Sequence, residues 1–177
     1  MKNIGVNRSR KGAKKFTKWL KKNGFVLHTN AEIKYDKTKG MHSVTTGEIA
    51  EEEEIIRSPS NMLIPPSIPK QRSKLRQFTE KERLILRLIY EVRKGKKSKW
   101  NTYFSILPTI NDLLHPIFWI SKEVQYLSGS YAYHHLMAKL KHFNAFYDKV
   151  VQAKLFSPFV EMEELKWATC IVDSRSF

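Results

Sequence analysis

The side chains able to do chemistry are few and scattered. Six histidines occur, two of them adjacent at His134 and His135. Neighbours on a helix point about 100° apart, no His-Glu-x-x-His spacing exists, and no carboxylate lies between His135 and His142, so the histidines predict no metal site. Cys170 is the only cysteine. That excludes a disulfide framework, a four-cysteine zinc site and a cysteine-ligated iron–sulfur cluster within one chain, and it predicts a reducing compartment. On an amphipathic stretch a lone cysteine reads as a small buried hydrophobe rather than a nucleophile. The run Glu51 to Glu54 has the charge of a cation site but not its geometry, because successive strand residues alternate faces, so it reads as a solvated hairpin tip. Two basic clusters, Lys2 to Lys22 and Arg93 to Lys99, are interleaved with Trp19, Trp100 and Tyr103, residue types that neutralise phosphates and stack on bases.

The elements that must position these groups follow from pattern. The chain has 177 residues, a net charge of +15 and 41% hydrophobic residues, enough apolar material to fold as one domain and a balance that favours an anionic partner. No run of about eighteen apolar residues occurs, which predicts no membrane span. The start lacks the apolar stretch of a secretory signal, so the reading is intracellular, cytoplasm or nucleus, with organelle import left open by the absence of any acid before Glu32.

Nine basic and no acidic residues fall in the first 22, and Phe16, Trp19 and Leu20 sit at helical spacing before Gly24. Phe25 to His28, Glu32 to Tyr35, Ser43 to Thr46 and Glu54 to Arg57 read as short strands, with a turn at Asp36 to Gly40. Residues 25–64 therefore predict a small β-meander. The run Pro65-Pro66-Ser67-Ile68-Pro69 is an extended connector and the best boundary. After it, Thr79 and Glu82 form a capping box for a helix to about Lys94, with Leu84, Ile85, Leu88, Ile89 and Val92 behind it. A long amphipathic helix is predicted from Ser130 to Leu155 on a stripe of Leu136, Leu140, Phe143, Tyr147 and Val150, and a last one carries Leu165, Ala168 and Ile171. The fold class is α+β, a small β region followed by a mainly α-helical segment.

Several of these segments, in order, resemble the SET-domain methyltransferases of the subgroup that includes Rubisco large-subunit lysine methyltransferase and actin-histidine methyltransferase. Phe16 to Leu20 is similar to the opening helix, Thr38-Lys39-Gly40-Met41 to the turn after it, and Gly47 to Glu51 with Ile55 to Ile64 to the following hairpin and strand end. Trp100-Asn101-Thr102-Tyr103-Phe104-Ser105-Ile106-Leu107-Pro108 looks like the family's Trp-x-x-Tyr-x-x-x-Leu-Pro. Pro116 to Trp119 with Tyr126-Leu127, and Trp167-Ala168 with Ser174-Arg175-Ser176-Phe177, complete the series.

The resemblance implies transfer of a methyl group from S-adenosylmethionine to a protein side chain, usually lysine. It implies a cofactor-contacting turn at Lys37, Lys39 and Gly40, and a carboxylate-holding guanidinium at Arg175. It divides the chain into a basic arm (1–15), the N-terminal part of the SET β-fold (16–68), a helical insert (69–158) and the start of the C-terminal SET segment (159–177). Two departures stand out. Lys37 and Thr38 replace the acid and first glycine of the family's Glu-Gly-x-Gly, and no Asn-His or Tyr-Gly pair occurs in the sequence. With no residue assigned to catalysis, and with strands left without partners, the expectation is an incomplete portion, inactive by itself. The alternative is a basic nucleic-acid- or protein-binding module without catalysis; a helical assembly module built on the stripe from Leu136 to Val150 is a third reading.

Overall fold

A computed structural model describes residues 4–175. In chain order the elements are α1 (Arg10–Lys22), β1 (Val26–Leu27), β2 (Ala31–Asp36), β3 (Gly40–Thr45), β4 (Ile56–Arg57), α2 (Arg72–Leu75) and α3 (Glu80–Arg93). After them come α4 (Asn101–Phe104), α5 (Ser121–Gln125), α6 (Tyr131–Ala153) and α7 (Met162–Arg175), with short 3₁₀ turns between. Two compact units result, one from residues up to 64 together with 91–109, the other from 65–90 and 110 onward. No helix is long and apolar enough to cross a membrane among the described residues.

In the first unit, α1 begins where the Ser9 hydroxyl accepts from the Gly12 amide at 3.0 Å, and it ends at Asn23 and a left-handed Gly24. The basic residues from Arg10 onward thus stand on a helix rather than an extended arm. Its inner face offers Ala13 and Leu20 to the core, with Phe16 stacked on Trp19 at 5.8 Å and tilted against Tyr103 at 6.2 Å. β2 and β3 form an antiparallel hairpin in register from Ala31 opposite Thr45 to Asp36 opposite Gly40. β1 does not join it as a consecutive strand; it pairs with β4, Val26 opposite Arg57, so the hairpin is nested inside a second two-stranded sheet.

The segment 91–109 fills the same unit. Glu91 is fully buried and accepts from the Ser98 hydroxyl at 2.7 Å and the Lys94 ammonium at 3.0 Å. The buried Trp100 indole donates to the Met62 carbonyl at 2.8 Å. This placement corrects the reading of Trp100 as a stacking platform, since only 4% of it is exposed.

The second unit is helical. The Thr79–Glu82 capping box is present in both directions, at 2.7 and 3.2 Å. From α6, Leu136, Phe143, Phe146 and Val150 are buried, and Phe146 meets Phe78 edge-on at 6.1 Å. Of the stripe read from the sequence, Leu136, Phe143 and Val150 thus serve the chain's own core, while Leu140 and Tyr147 are half-buried. α7 is buried on nearly all sides, from Glu164 to Val172 apart from Lys166, with the polar Glu164 and Thr169 among its buried residues.

Gly12 tests the packing. A Cβ there would stand 1.6 Å from the Asn7 carbonyl oxygen. Alanine ordinarily improves a helix by about 1 kcal/mol over glycine, yet overpacking of this kind costs about 1–3 kcal/mol. Gly12→Ala is expected to lower stability in urea unfolding; a more stable variant would refute this packing.

Candidate functional site

The β2–β3 turn is built by Asp36. Its Oδ1 accepts from the Lys39 amide at 2.8 Å and the Thr38 amide at 2.7 Å, an aspartate turn that satisfies both amides locally. These two bonds, that from Lys39 foremost, hold the Asp36 carboxyl below the usual aspartate value. Gly40 follows with φ of +70° and is buried, a conformation that residues with a Cβ rarely adopt. Its carbonyl lies 3.0 Å from His42 Nδ1. Lys37 and Lys39 project into solvent.

Beside this turn lies a groove of about 450 Å³, lined by Arg10, Ala13 and Lys14 of α1, Glu32 to Asp36 of β2 and His42 of β3. Lys34 pairs with Glu32 at 3.2 Å. The wall is thus mixed in sign, with cations from α1 facing a strand whose two acids are already engaged.

Of the residues expected to contact a cofactor, the structure gathers Lys37, Lys39 and Gly40 in this one turn. Arg175 is on the second unit, exposed at the end of α7, and donates to the Ser174 hydroxyl at 2.6 Å. Ser176 and Phe177 of the closing motif, and the first three residues of the basic start, lie outside the described residues. Asp36 was not among the sequence candidates. Its signal was legible in the run Asp-Lys-Thr-Lys-Gly, where an aspartate two and three residues ahead of the amides caps them.

The remaining chemical groups are engaged structurally. Cys170 is buried, and burial above all pushes its thiol up to about 11, which leaves almost no thiolate at neutral pH. In the acid run, Glu53 meets His28 at 3.1 Å and Glu54 meets Arg57 at 2.9 Å. Among the described residues no three metal-ligating side chains come close enough to share an ion.

This architecture, a small β region followed by a mainly helical segment, matches part of the SET-domain fold in solved structures. Solved structures give that class its particular members. The chain superposes on Rubisco LSMT bound to sinefungin and monomethyllysine with a TM-score of 0.80 at 25% identity, covering 94% of this chain and 41% of that one. The SET domain of LSMT bound to lysine and AdoHcy matches at 0.77 and 25%, again over 94% of this chain and 40% of the other. Rubisco LSMT bound to AdoMet matches at 0.79 and 24%, over 94% and 41%. The chain spans about two fifths of the length of these proteins. No protein-family model matches it, and no curated protein does.

The turn makes a pH-dependent prediction. Because the folded-state pKa of Asp36 is lowered, its support of the turn is complete above the ordinary aspartate value and is lost as pH falls through the lower, folded value. The Thr38 and Lys39 amide resonances are expected to titrate together below that ordinary value, and in Asp36→Asn to show no such titration. Midpoints at or above the ordinary value would contradict the geometry. Cys170 is expected to resist thiol reagents at pH 8 until the chain is unfolded.

Proposed function

We propose that this chain supplies part of an S-adenosylmethionine-dependent protein-lysine methyltransferase of the SET class. The observation that supports the reading best is the match to Rubisco LSMT over 94% of the chain, a structure whose two bound molecules are sinefungin and monomethyllysine. The cofactor would bring the methyl group, and these residues would bring its binding turn and the helical insert.

The residues of the turn fit such a ligand in a defined way. Asp36 already holds the Thr38 and Lys39 amides, so contacts of the turn with a bound molecule would fall to its carbonyls. Carbonyls suit the cofactor's ammonium, and they do so without the acid that Lys37 has replaced. Gly40 keeps the left-handed conformation that the turn needs. A carboxylate needs a cation, and we assign that part to Arg175, whose planar fork binds carboxylates in two bonds. A lysine acceptor must also lose its proton, at a cost of about 4–5 kcal/mol at neutral pH from an ordinary pKa. No residue of this sequence is assigned to that step, so the chain alone is inferred to be without turnover.

Two proteins test the reading: the 177-residue chain, and a chimera in which it precedes the remainder of the LSMT SET domain. Radiolabelled S-adenosylmethionine is expected to methylate a lysine-bearing acceptor only with the chimera. Arg175→Ala is expected to weaken cofactor binding in calorimetry about tenfold, the worth of one charge-assisted contact of about 1.4 kcal/mol. Turnover by the chain alone would overturn the inactivity, and an unchanged affinity in Arg175→Ala would overturn its role.

A further inference from the structure

Every exposed residue of α1 is a cation. They are Arg10 and the six lysines Lys11, Lys14, Lys15, Lys18, Lys21 and Lys22, and no other residue of the helix is exposed to that degree. None takes part in an ion pair among the described residues. The helix bears these charges against its own interest. Lys11 and Lys15, Lys14 and Lys18, and Lys18 and Lys22 are like charges one turn apart, which destabilise a helix. Its first turn holds Arg10 and Lys11 and no acid, cations placed at the positive end of the dipole. Lys21 and Lys22, in the last turn, suit the dipole; for the other five cations folding alone gives no such reason.

The identity of the partner follows from what the face lacks. Protein interfaces concentrate aromatic and apolar residues at their centre and are depleted in lysine, and this face has neither an apolar nor an aromatic residue on it. An interfacial membrane helix inserts its apolar side, but that side of α1 is already occupied: Ala13 and Leu20 are buried and Phe16 and Trp19 stack within the unit. Phe16 and Trp19, half-buried and stacked within the unit, are not free platforms of the kind that single-stranded nucleic acid requires. What remains is an acid-free double row of flexible ammonium groups recurring at about 5.4 Å per turn along about 20 Å, a match for a uniformly charged backbone. The row continues into the adjoining groove through Arg10 and Lys14, where Glu32 is paired with Lys34 and Asp36 is held by the turn amides.

We propose that the solvent face of α1 is a docking surface for the phosphate backbone of duplex nucleic acid, independent of base sequence. The surface is separate in its evidence from methyl transfer and stands whether or not that reading holds.

Fluorescence anisotropy with a labelled 20-base-pair DNA duplex, from 50 to 200 mM KCl, tests it on the whole chain. The logarithm of affinity is expected to fall linearly with the logarithm of salt, each neutralised phosphate adding about 0.9 to the slope. The triple variant Lys14→Gln, Lys15→Gln, Lys18→Gln keeps good helix formers, so circular dichroism should be unchanged. Its slope should be shallower by about 2–3, with affinity at 50 mM reduced at least tenfold, while Lys→Arg at the same sites should retain binding. Lys96→Gln with Lys97→Gln should change the slope by less than 1. No binding at 50 mM, a triple variant no weaker than the double one, or tighter binding to phosphatidylserine vesicles or polyglutamate than to the duplex would each overturn the proposal.

Discussion

A two-stranded sheet has too little surface to bury a core, and the first unit contains two of them. Everything in that unit depends on what is laid against these sheets. One cover is α1, which contributes the Ala13, Phe16 and Leu20 face. The other is a segment from much later in the chain, fastened by few polar contacts: the buried Trp100 indole to the Met62 carbonyl, and Asn7 to Ser105 through both side chains at 3.0 Å and backbone at 2.9 Å. A neutral hydrogen bond of this kind contributes about 0.5–1.5 kcal/mol net, and leaving a buried partner unpaired costs about 1–3 kcal/mol. The helical residues 91–109 are thus a structural part of the β region, which is why removing either would leave the other without a core.

That arrangement also explains which features were legible in the sequence. Local chemistry was readable: the Thr79–Glu82 capping box, the stop at Gly24, the start of α6 at Ser130 and the turn before Gly40 each depend on residues within four positions of one another. Non-local choices were not. Nothing in Val26-Leu27 says that it pairs with Ile56-Arg57 rather than with its neighbour in sequence, because two apolar strand residues fit either partner. Trp100, beside Lys97 and Lys99, looked like an exposed platform; its indole is instead spent on a carbonyl 38 residues earlier. Cys170 was legible as a small buried hydrophobe because a lone cysteine on an amphipathic stretch is a local pattern.

The turn illustrates how a departure from a pattern can leave a shape intact. Where the resemblance implies a glutamate and a glycine, this chain carries Lys37, of the opposite charge, and Thr38, with less backbone freedom than glycine. Asp36, one position earlier, supplies both missing services: its carboxylate fixes the turn through two amides, and its charge offsets Lys37 and Lys39 locally. Gly40 alone retains the demand for positive φ. The backbone course therefore survives a change in the residues that would have been named first as its cause.

The net charge of +15 takes on meaning only when it is divided by what each cation does. In the second unit, Lys81 and Lys139 both hold Asp173, at 2.7 and 2.8 Å, and Lys149 holds Glu82 at 2.8 Å; partly buried pairs of this kind tie helices together and cancel in the field. On α1 the opposite holds. Seven cations face water with no acid among them, so their potentials add rather than cancel, and within a Debye length of about 8 Å at physiological salt each reinforces its neighbours. A residue count cannot distinguish these two uses of lysine. The distinction lies in the spacing of acids, which are interleaved with the lysines after residue 79 and wholly absent before Glu32, and that spacing turns an excess of charge into a surface with a direction.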